Sequence, residues 1–575
     1  MKRLYEFLKK LIEDSWILII VLMTVSTSCE KNVLNTEPLN NFSDASVWQD
    51  ENLIKAFINL DYQLMPWEWN DNSASDFGFG CSVDELYTRG GVTNYLIDGS
   101  LNPTNTGPLN VWEGNSYGKN AAKSTTYWPI INDCNLFFSK IKDSPISESA
   151  KQELIGQMMF LRAYSYFNLV RVYGGVPLFT KPFGLSENFD LPRNTFKECM
   201  DFVLNGLDSA AILLPLEWPA ANKGRVTKGA ALAFKSRALL YLASPLNNPS
   251  GDVAMWQKAA DAAKAVIDLQ QYELYPDYRN LFLKENSYNS EVIWSRSFNY
   301  VTNPEAAYLE LLNFPNGFHG NGQKNPIQNC VDQFEMANGE IPILGYENDV
   351  IPIVNPKSGY DPKNPYVNRD PRFYDCILYD GAPFQGREVE TFYPGGKDSN
   401  QGTAAPWNAS QTGYYILKFL NESIINPNTV NNGNSPWIFI RYAEILLNYA
   451  EAEYHLGNED VCRQYINMVR SRPSVNMPPV TVSGESLLKA LQREDYVEFI
   501  FEGHRFFDAR RWKIASEVFN TIGRRIEINK DLITGEKTYK IIAFNPMVFH
   551  EKNYLVPIPQ NEIEKNASLI QNPGY

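Results

Sequence analysis

Helical spacing, and the two places where it is lost, constrain this chain more than any other feature. Phe160, Ala163, Tyr164 and Phe167 stand at i, i+3, i+4 and i+7, which puts all four on one face of an α-helix. The pattern stops at Gly174-Gly175, just ahead of Pro177, as a helix C-terminus should. Phe234, Ala238 and Tyr241 form a second set, and Ala443, Leu446, Leu447 and Ala450 a third. Ser43 to Leu64, Thr195 to Leu214, Met255 to Leu269, Asp460 to Arg470 and Leu487 to Phe501 carry helical signals as well. Arg162-Ala163 with Tyr166 recurs as Arg237-Ala238 with Tyr241, 75 residues on, close to two helix-pair units of about 34 residues each. Small alanines let paired helices approach, and hairpins that stack this way bury one continuous core.

The spacing is lost from Pro66 to Tyr127 and again from Leu281 to Pro436. The first stretch is rich in Gly, Asn, Ser and Thr and carries Trp67, Trp69, Tyr87, Tyr95, Trp112 and Tyr117. The second has turn clusters such as Asp361-Pro362-Lys363-Asn364-Pro365 and short strand-like runs at Glu291 to Trp294 and Tyr414 to Lys418. Long aperiodic segments in a globular chain are usually functional loops. The order helical, irregular, helical therefore reads as a helical scaffold that carries a loop layer.

The first 28 residues stand apart from that plan. Lys2, Arg3, Lys9 and Lys10 precede an apolar run from Trp16 to Val25, too short to span a bilayer, and the small residues Ser26, Thr27 and Ser28 lead to Cys29. We expect residues 1–28 to be a removed lipoprotein signal peptide and Cys29 to receive the lipid. Residues 29–41 would form the tether. An ordinary cleaved signal with an incidental cysteine is the alternative. The body would then run from 42 to 575, with scaffold at about 42–65, 128–280 and 436–515. The ligand layer would lie at about 66–127 and 281–435.

Net charge is −14, from 52 basic and 66 acidic residues, which argues against nucleic acid and against electrostatic binding to anionic lipid. The six cysteines after Cys29 have no CxxC and no zinc spacing, so buried thiols or disulfides both stay open. The four histidines, His319, His455, His504 and His550, form no metal motif, and no P-loop or nucleophile elbow is present. Asp84-Glu85 and Asp332 with Glu335 are the carboxylate pairs a glycosidase would need, although pairs by chance are certain among so many acids. The expectation is no catalytic residue, no metal and no cofactor. Loop aromatics beside amides point instead to sugar, whose C–H faces stack on rings and whose hydroxyls pair with Asn, Asp and Arg. On that ground Trp112, Asn115, Trp67, Trp69, Asp84, Tyr300 and Phe318 are the candidate ligand contacts.

The ends of the chain carry a resemblance. Leu34-Asn35-Thr36-Glu37-Pro38-Leu39 after Cys29, and the closing runs Leu555 to Ile563 and Gln571 to Tyr575, resemble the SusD/RagB family of Bacteroidetes surface lipoproteins. Phe160 to Tyr164 with Tyr173 to Leu178, Arg441 to Leu447 with Ala450 to Ala452, and Glu502 to Asp508 with Arg510 to Trp512 match its helical signatures in order. The resemblance implies a mainly α fold: four tetratricopeptide-like helix pairs and a loop-rich mixed α/β remainder. It implies an outer-membrane, lipid-anchored protein facing the cell exterior, with an oligosaccharide ligand and a SusC-like TonB-dependent transporter as partner. In the family's starch-binding member a loop Trp with an Asn three residues later contacts glucan, a spacing that Trp112 and Asn115 repeat. A peptide-binding or protein-scaffold lipoprotein of the same fold and an exported glycoside hydrolase are the rival readings.

Overall fold

The computed structural model describes residue 2 and residues 44–66, 79–89, 97–113, 126–184, 187, 189–299, 309–427 and 433–575. Cys29, Trp67, Trp69, Asn115 and Tyr300 lie outside these residues. Two helices open the described body, α1 (Glu51–Leu64) and α2 (Tyr127–Lys140). Then come α3 (Glu148–Tyr173), α4 (Phe196–Leu213), α5 (Lys228–Ala243) and α6 (Val253–Ile267). After the irregular segment follow α7 (Tyr442–His455), α8 (Glu459–Arg470), α9 (Glu485–Glu498) and the short α10 (His504–Arg511).

Local chemistry starts and stops these helices. Ser147, Thr195, Thr227 and Asp252 each accept a hydrogen bond from a first-turn amide, and Thr195 forms a reciprocal capping box with Glu198. Helix α3 ends on Gly174 at φ +78°. The next residue, Gly175, has no room for a side chain, since a Cβ there would stand 1.9 Å from the Asn194 carbonyl oxygen. The last carbonyls of this helix turn are satisfied from far along the chain. Arg193 donates to the carbonyls of Tyr173 (2.7 Å) and Gly175 (2.6 Å), and Asn572 donates to those of Tyr173 (3.1 Å) and Val556 (2.8 Å).

Each helix packs on the next across the scaffold, from α3 through α6 and on to α7 and α8. The first helices of successive pairs also touch, α3 with α5, α5 with α7 and α7 with α9. That is the tetratricopeptide arrangement. It explains why α3 and α5 are buried on most sides, whereas α8 buries only Cys462, Ile466, Val469 and Arg470. The arginine shared by the two echoing motifs has two uses. Arg162 donates to Asn135 at 2.7 Å, and Arg237 forms a buried pair with Glu444 on α7 at 2.5 Å.

Short two-stranded ribbons make up the rest. Strand β1 (Leu86–Thr88) pairs with β3 (Lys324–Pro326), and β2 (Val292–Arg296) with β6 (Trp437–Arg441). The hairpins β4–β5 (Ile343–Glu347, Ile351–Val354) and β7–β8 (Thr521–Lys530, Lys537–Met547) follow, and two-residue strands pair Ile377–Leu378 with Tyr415–Ile416 and Pro383–Phe384 with Arg387–Glu388. The β2–β6 ribbon lays Trp294 and Phe439, stacked at 4.5 Å, against Phe160, Tyr164 and Phe234 of the helices. No helix among the described residues is long and apolar enough to cross a membrane. The six described cysteines are buried free thiols.

A buried ionic web joins the two layers. Arg441, at the end of β6, binds Glu291, Glu498 and Glu502, each at 2.7 Å. Arg472 binds Glu291 (2.5 Å) and Glu498 (2.8 Å), and Arg372 binds Asp370, Glu494 and Glu498 within 2.9 Å. Lys418 adds a 2.8 Å pair with Glu502. Burial alone would raise the Glu502 carboxyl, but Arg441 and Lys418 outweigh it and bring it down to about 2.

Candidate functional site

Three of the expected ligand contacts are inside the protein. Trp112 is 4% exposed, its ring edge-on to Trp128 at 5.0 Å and to Tyr173 at 5.2 Å, while its backbone N–H donates to the Tyr173 hydroxyl. A ring walled in on both sides offers no face to a sugar. Asp84 is spent on a two-point pair with Arg505, both contacts at 2.9 Å. Phe318 is buried under the Arg387 guanidinium at 3.6 Å and against Phe384. The structure places these three side chains in packing and ionic contacts inside the protein.

The carboxylates considered for hydrolysis are committed as well. Glu335 pairs with Arg470 at 2.8 Å, and Asp332 accepts from Tyr346 (2.5 Å) and Gln328 (2.7 Å). Burial raises Asp332 to about 6 in spite of those donors. His455 stacks on Trp256 at 3.9 Å. Asp495, His504 and Asp508 converge within 4.8 Å, the one such cluster of potential metal ligands among the described residues. Arg511 already supplies positive charge there through its 2.6 Å contact with Asp508. Burial lowers His504 to about 4, so the imidazole is neutral at neutral pH.

The described tryptophan that does face solvent is Trp407, 72% exposed, whereas every other described tryptophan is buried or half-buried. It sits on a short turn, Pro406–Asn408, entered through Ala405 at φ +41°. The turn is fixed from beneath. Arg89 donates to the Trp407 carbonyl (2.6 Å), to the Asn408 side-chain oxygen (2.8 Å) and twice to the Asn321 carbonyl (2.9 and 3.1 Å). Asn408 in turn donates to the Asn321 side chain at 3.0 Å. The result is an open aromatic face on an immobilised backbone, with amide groups beside it. Arg89 comes from the first aperiodic stretch, directly after β1, and Asn321 from the second. The two loop regions singled out in the sequence are therefore joined under a residue that neither periodicity nor spacing marks.

An open cleft of about 380 Å³ lies elsewhere, at the C-terminal end of α1. Tyr62, Lys223, Arg225, Tyr288 and Arg296 line it, with Trp294 and Phe439 at its floor. The Trp294 indole N–H donates to the Gly224 carbonyl at 3.2 Å and fixes the loop that carries Lys223 and Arg225. Gly224 holds φ +95°, and a Cβ there would meet the Tyr288 hydroxyl at 3.1 Å. Met65 and Ser297 at the rim precede Trp67 and Tyr300 by two and three residues in the sequence.

The model of the SusD family matches residues 281–575, just over half of the chain. The chain belongs to the SusD family. A second model, "Starch-binding associating with outer membrane", matches residues 97–242 of this SusD-family chain. A SusD-like protein of Formosa agariphila, P25, is 23% identical over 466 residues, 78% of each chain. A solved SusD-like protein from Bacteroides fragilis is 29% identical, with a TM-score of 0.76, over 94% of this chain and 100% of that one. A SusD-like carbohydrate binding protein from Bacteroides fragilis is 25% identical, with a TM-score of 0.73, over 91% of this chain and 100% of that one. The SusD-type motifs read in the sequence hold the scaffold together. Arg441 centres the ionic web, Glu444 holds Arg237, and Glu451 accepts from both Arg511 (2.5 Å) and the Trp512 indole (2.8 Å).

Proposed function

We propose that this SusD-family protein captures an oligosaccharide at the cell surface and makes or breaks no covalent bond in it. Lipid at Cys29 would hold it to the outer membrane, and a SusC-like TonB-dependent transporter would take the sugar from it. The exposed Trp407 ring on its fixed turn carries the reading. Sugars present flat C–H faces to such rings, and Asn321 and Asn408 stand beside it for hydroxyls. Likeness to a SusD-like carbohydrate binding protein and to the starch-binding, outer-membrane family model supports the class of ligand and the place. The acids considered for hydrolysis, Asp84, Asp332 and Glu335, are engaged in structural contacts.

Affinity electrophoresis through glycan-containing gels tests this. One ring face of ~80 Å² at ~25 cal/mol per Å² is worth about 2 kcal/mol, so Trp407→Ala should weaken binding roughly thirtyfold. The melting temperature should not move, because the ring is not part of the core. Equal retardation of wild type and W407A would remove Trp407 from the site. New reducing ends released from the retained glycan would show an enzyme instead.

A further inference from the structure

We propose that the cleft at the end of α1 takes an anionic group carried by the sugar, a uronate carboxylate or a sulfate ester. The inference rests on the reading above for the class of ligand, and on the charge of the cleft for the rest.

The chain as a whole is acidic, with 66 acidic against 52 basic residues. The cleft reverses that balance: Lys223 and Arg225 line it, and no Asp or Glu does among the described residues. Lys223 is exposed and makes no ion pair among the described residues; its ammonium lies 5.5 Å from the centre of the Tyr288 ring. Arg225 is held without being neutralised. Its nitrogens donate to the amide oxygens of Asn222 (3.2 Å), Gln157 (3.0 Å) and Asn59 (2.8 Å), so its position is fixed while its charge persists. Asp61, which precedes the lining residue Tyr62 on α1, is buried and kept protonated, and so cancels none of this charge at neutral pH. Tyr288, 46% exposed, adds a ring face next to Lys223. Fixed positive charge beside an open ring suits a sugar that bears an acid. A neutral glycan would leave Lys223 without its partner.

The net charge of −14 repels polyanions, so retention of one requires a local positive site. The mature protein is run through gels containing polygalacturonate, dextran sulfate or neutral dextran. The expected result is retardation by polygalacturonate or by dextran sulfate, which names the source of the charge, with a steep loss of retardation as salt is raised. Lys223→Gln should weaken that binding about tenfold and Lys223→Glu more, since a hydrogen bond to a charged group is lost and then reversed in sign. Equal migration of wild type and K223E in both acidic gels overturns the inference. So does a wild type that binds neutral glycans through Trp407 and neither acidic polymer, which leaves the glycan-binding reading intact. A wild type that binds no glycan of any charge overturns both.

Discussion

Asp61 on α1 has no exposed surface, and neither of its carboxylate oxygens meets an N–H or O–H donor of another group. It faces Asp133 of α2, and the two carboxyls are close enough to share a proton. Burial, with Asp133 second, raises Asp61 to about 9, and burial raises Asp133 as well. Unfolding releases that proton at any pH above the ordinary aspartate range. The stabilising contribution is therefore whole below about pH 3.8 and is lost as pH rises toward about 9. Asp61→Asn keeps a donor for Asp133 and never ionises. The variant should melt higher than wild type at about pH 8 by on the order of a few kcal/mol of stability, with no gain near pH 4. Thermal melts at the two pH values decide it, and parallel shifts would show that Asp61 is ionised in the folded protein. Little of this was legible in the sequence. Asp61 stands within a helical pattern that was read, but its partner is 72 residues away. The same holds for the tryptophans. Trp112 is buried by Tyr173, 61 residues on, and Trp407 is held out by Arg89, 318 residues back. Ring identity is local information, whereas exposure is set by distant neighbours.

At the level of elements, spacing located the helices because rings and alanines recur on the helical period in α3 and α5, although both helices are buried on most sides, and the caps stand in the sequence as Ser147, Thr195, Thr227 and Asp252. The shared Arg-Ala and Tyr of α3 and α5 marked helices in equivalent places of the stack, although their arginines take different partners. The short ribbons were less readable, since strands of two to five residues show too little alternation to separate from turns. Gly175 is where an element boundary is decided by contact. A methyl group there would collide with the Asn194 carbonyl and push the end of α3 away from the segment that leads to α4. Gly175→Ala should lower stability by about 2–3 kcal/mol in denaturant titrations. Gly457→Ala is a useful control, because its Cβ meets nothing and only the positive φ is disturbed. A loss at Gly175 no larger than at Gly457 would show that the close approach is not what matters.

Over the whole molecule, the web of Arg372, Arg441, Arg472, Glu291, Glu494, Glu498 and Glu502 makes loop layer and scaffold one cooperative body. Glu498 and Glu502 are both held below the ordinary glutamate range, against burial: Arg472, Arg441 and Arg372 act on Glu498, and Arg441 and Lys418 on Glu502. Their stabilisation is complete above about pH 4.5 and is lost as pH falls toward about 2, on the order of 3 kcal/mol for Glu502. Acid titration should therefore show helix loss by circular dichroism and tryptophan exposure by fluorescence in one coincident transition in that window. Separate transitions would show that the layers unfold independently. Arg441→Ala takes one buried partner from each of Glu291, Glu498 and Glu502 and should cost roughly 3–5 kcal/mol. Another feature of the whole fold bears on how it is reached. Arg505 closes on Asp84 across 421 residues, and Asn572 closes on the end of α3 across 399. A chain that grows from its N-terminus cannot make either contact until it is almost finished. Helices α3 and α5 then wait with uncovered apolar faces, so folding is slow, late and exposed to aggregation. Removing residues 571–575 would take away the contact that Asn572 makes with the end of α3.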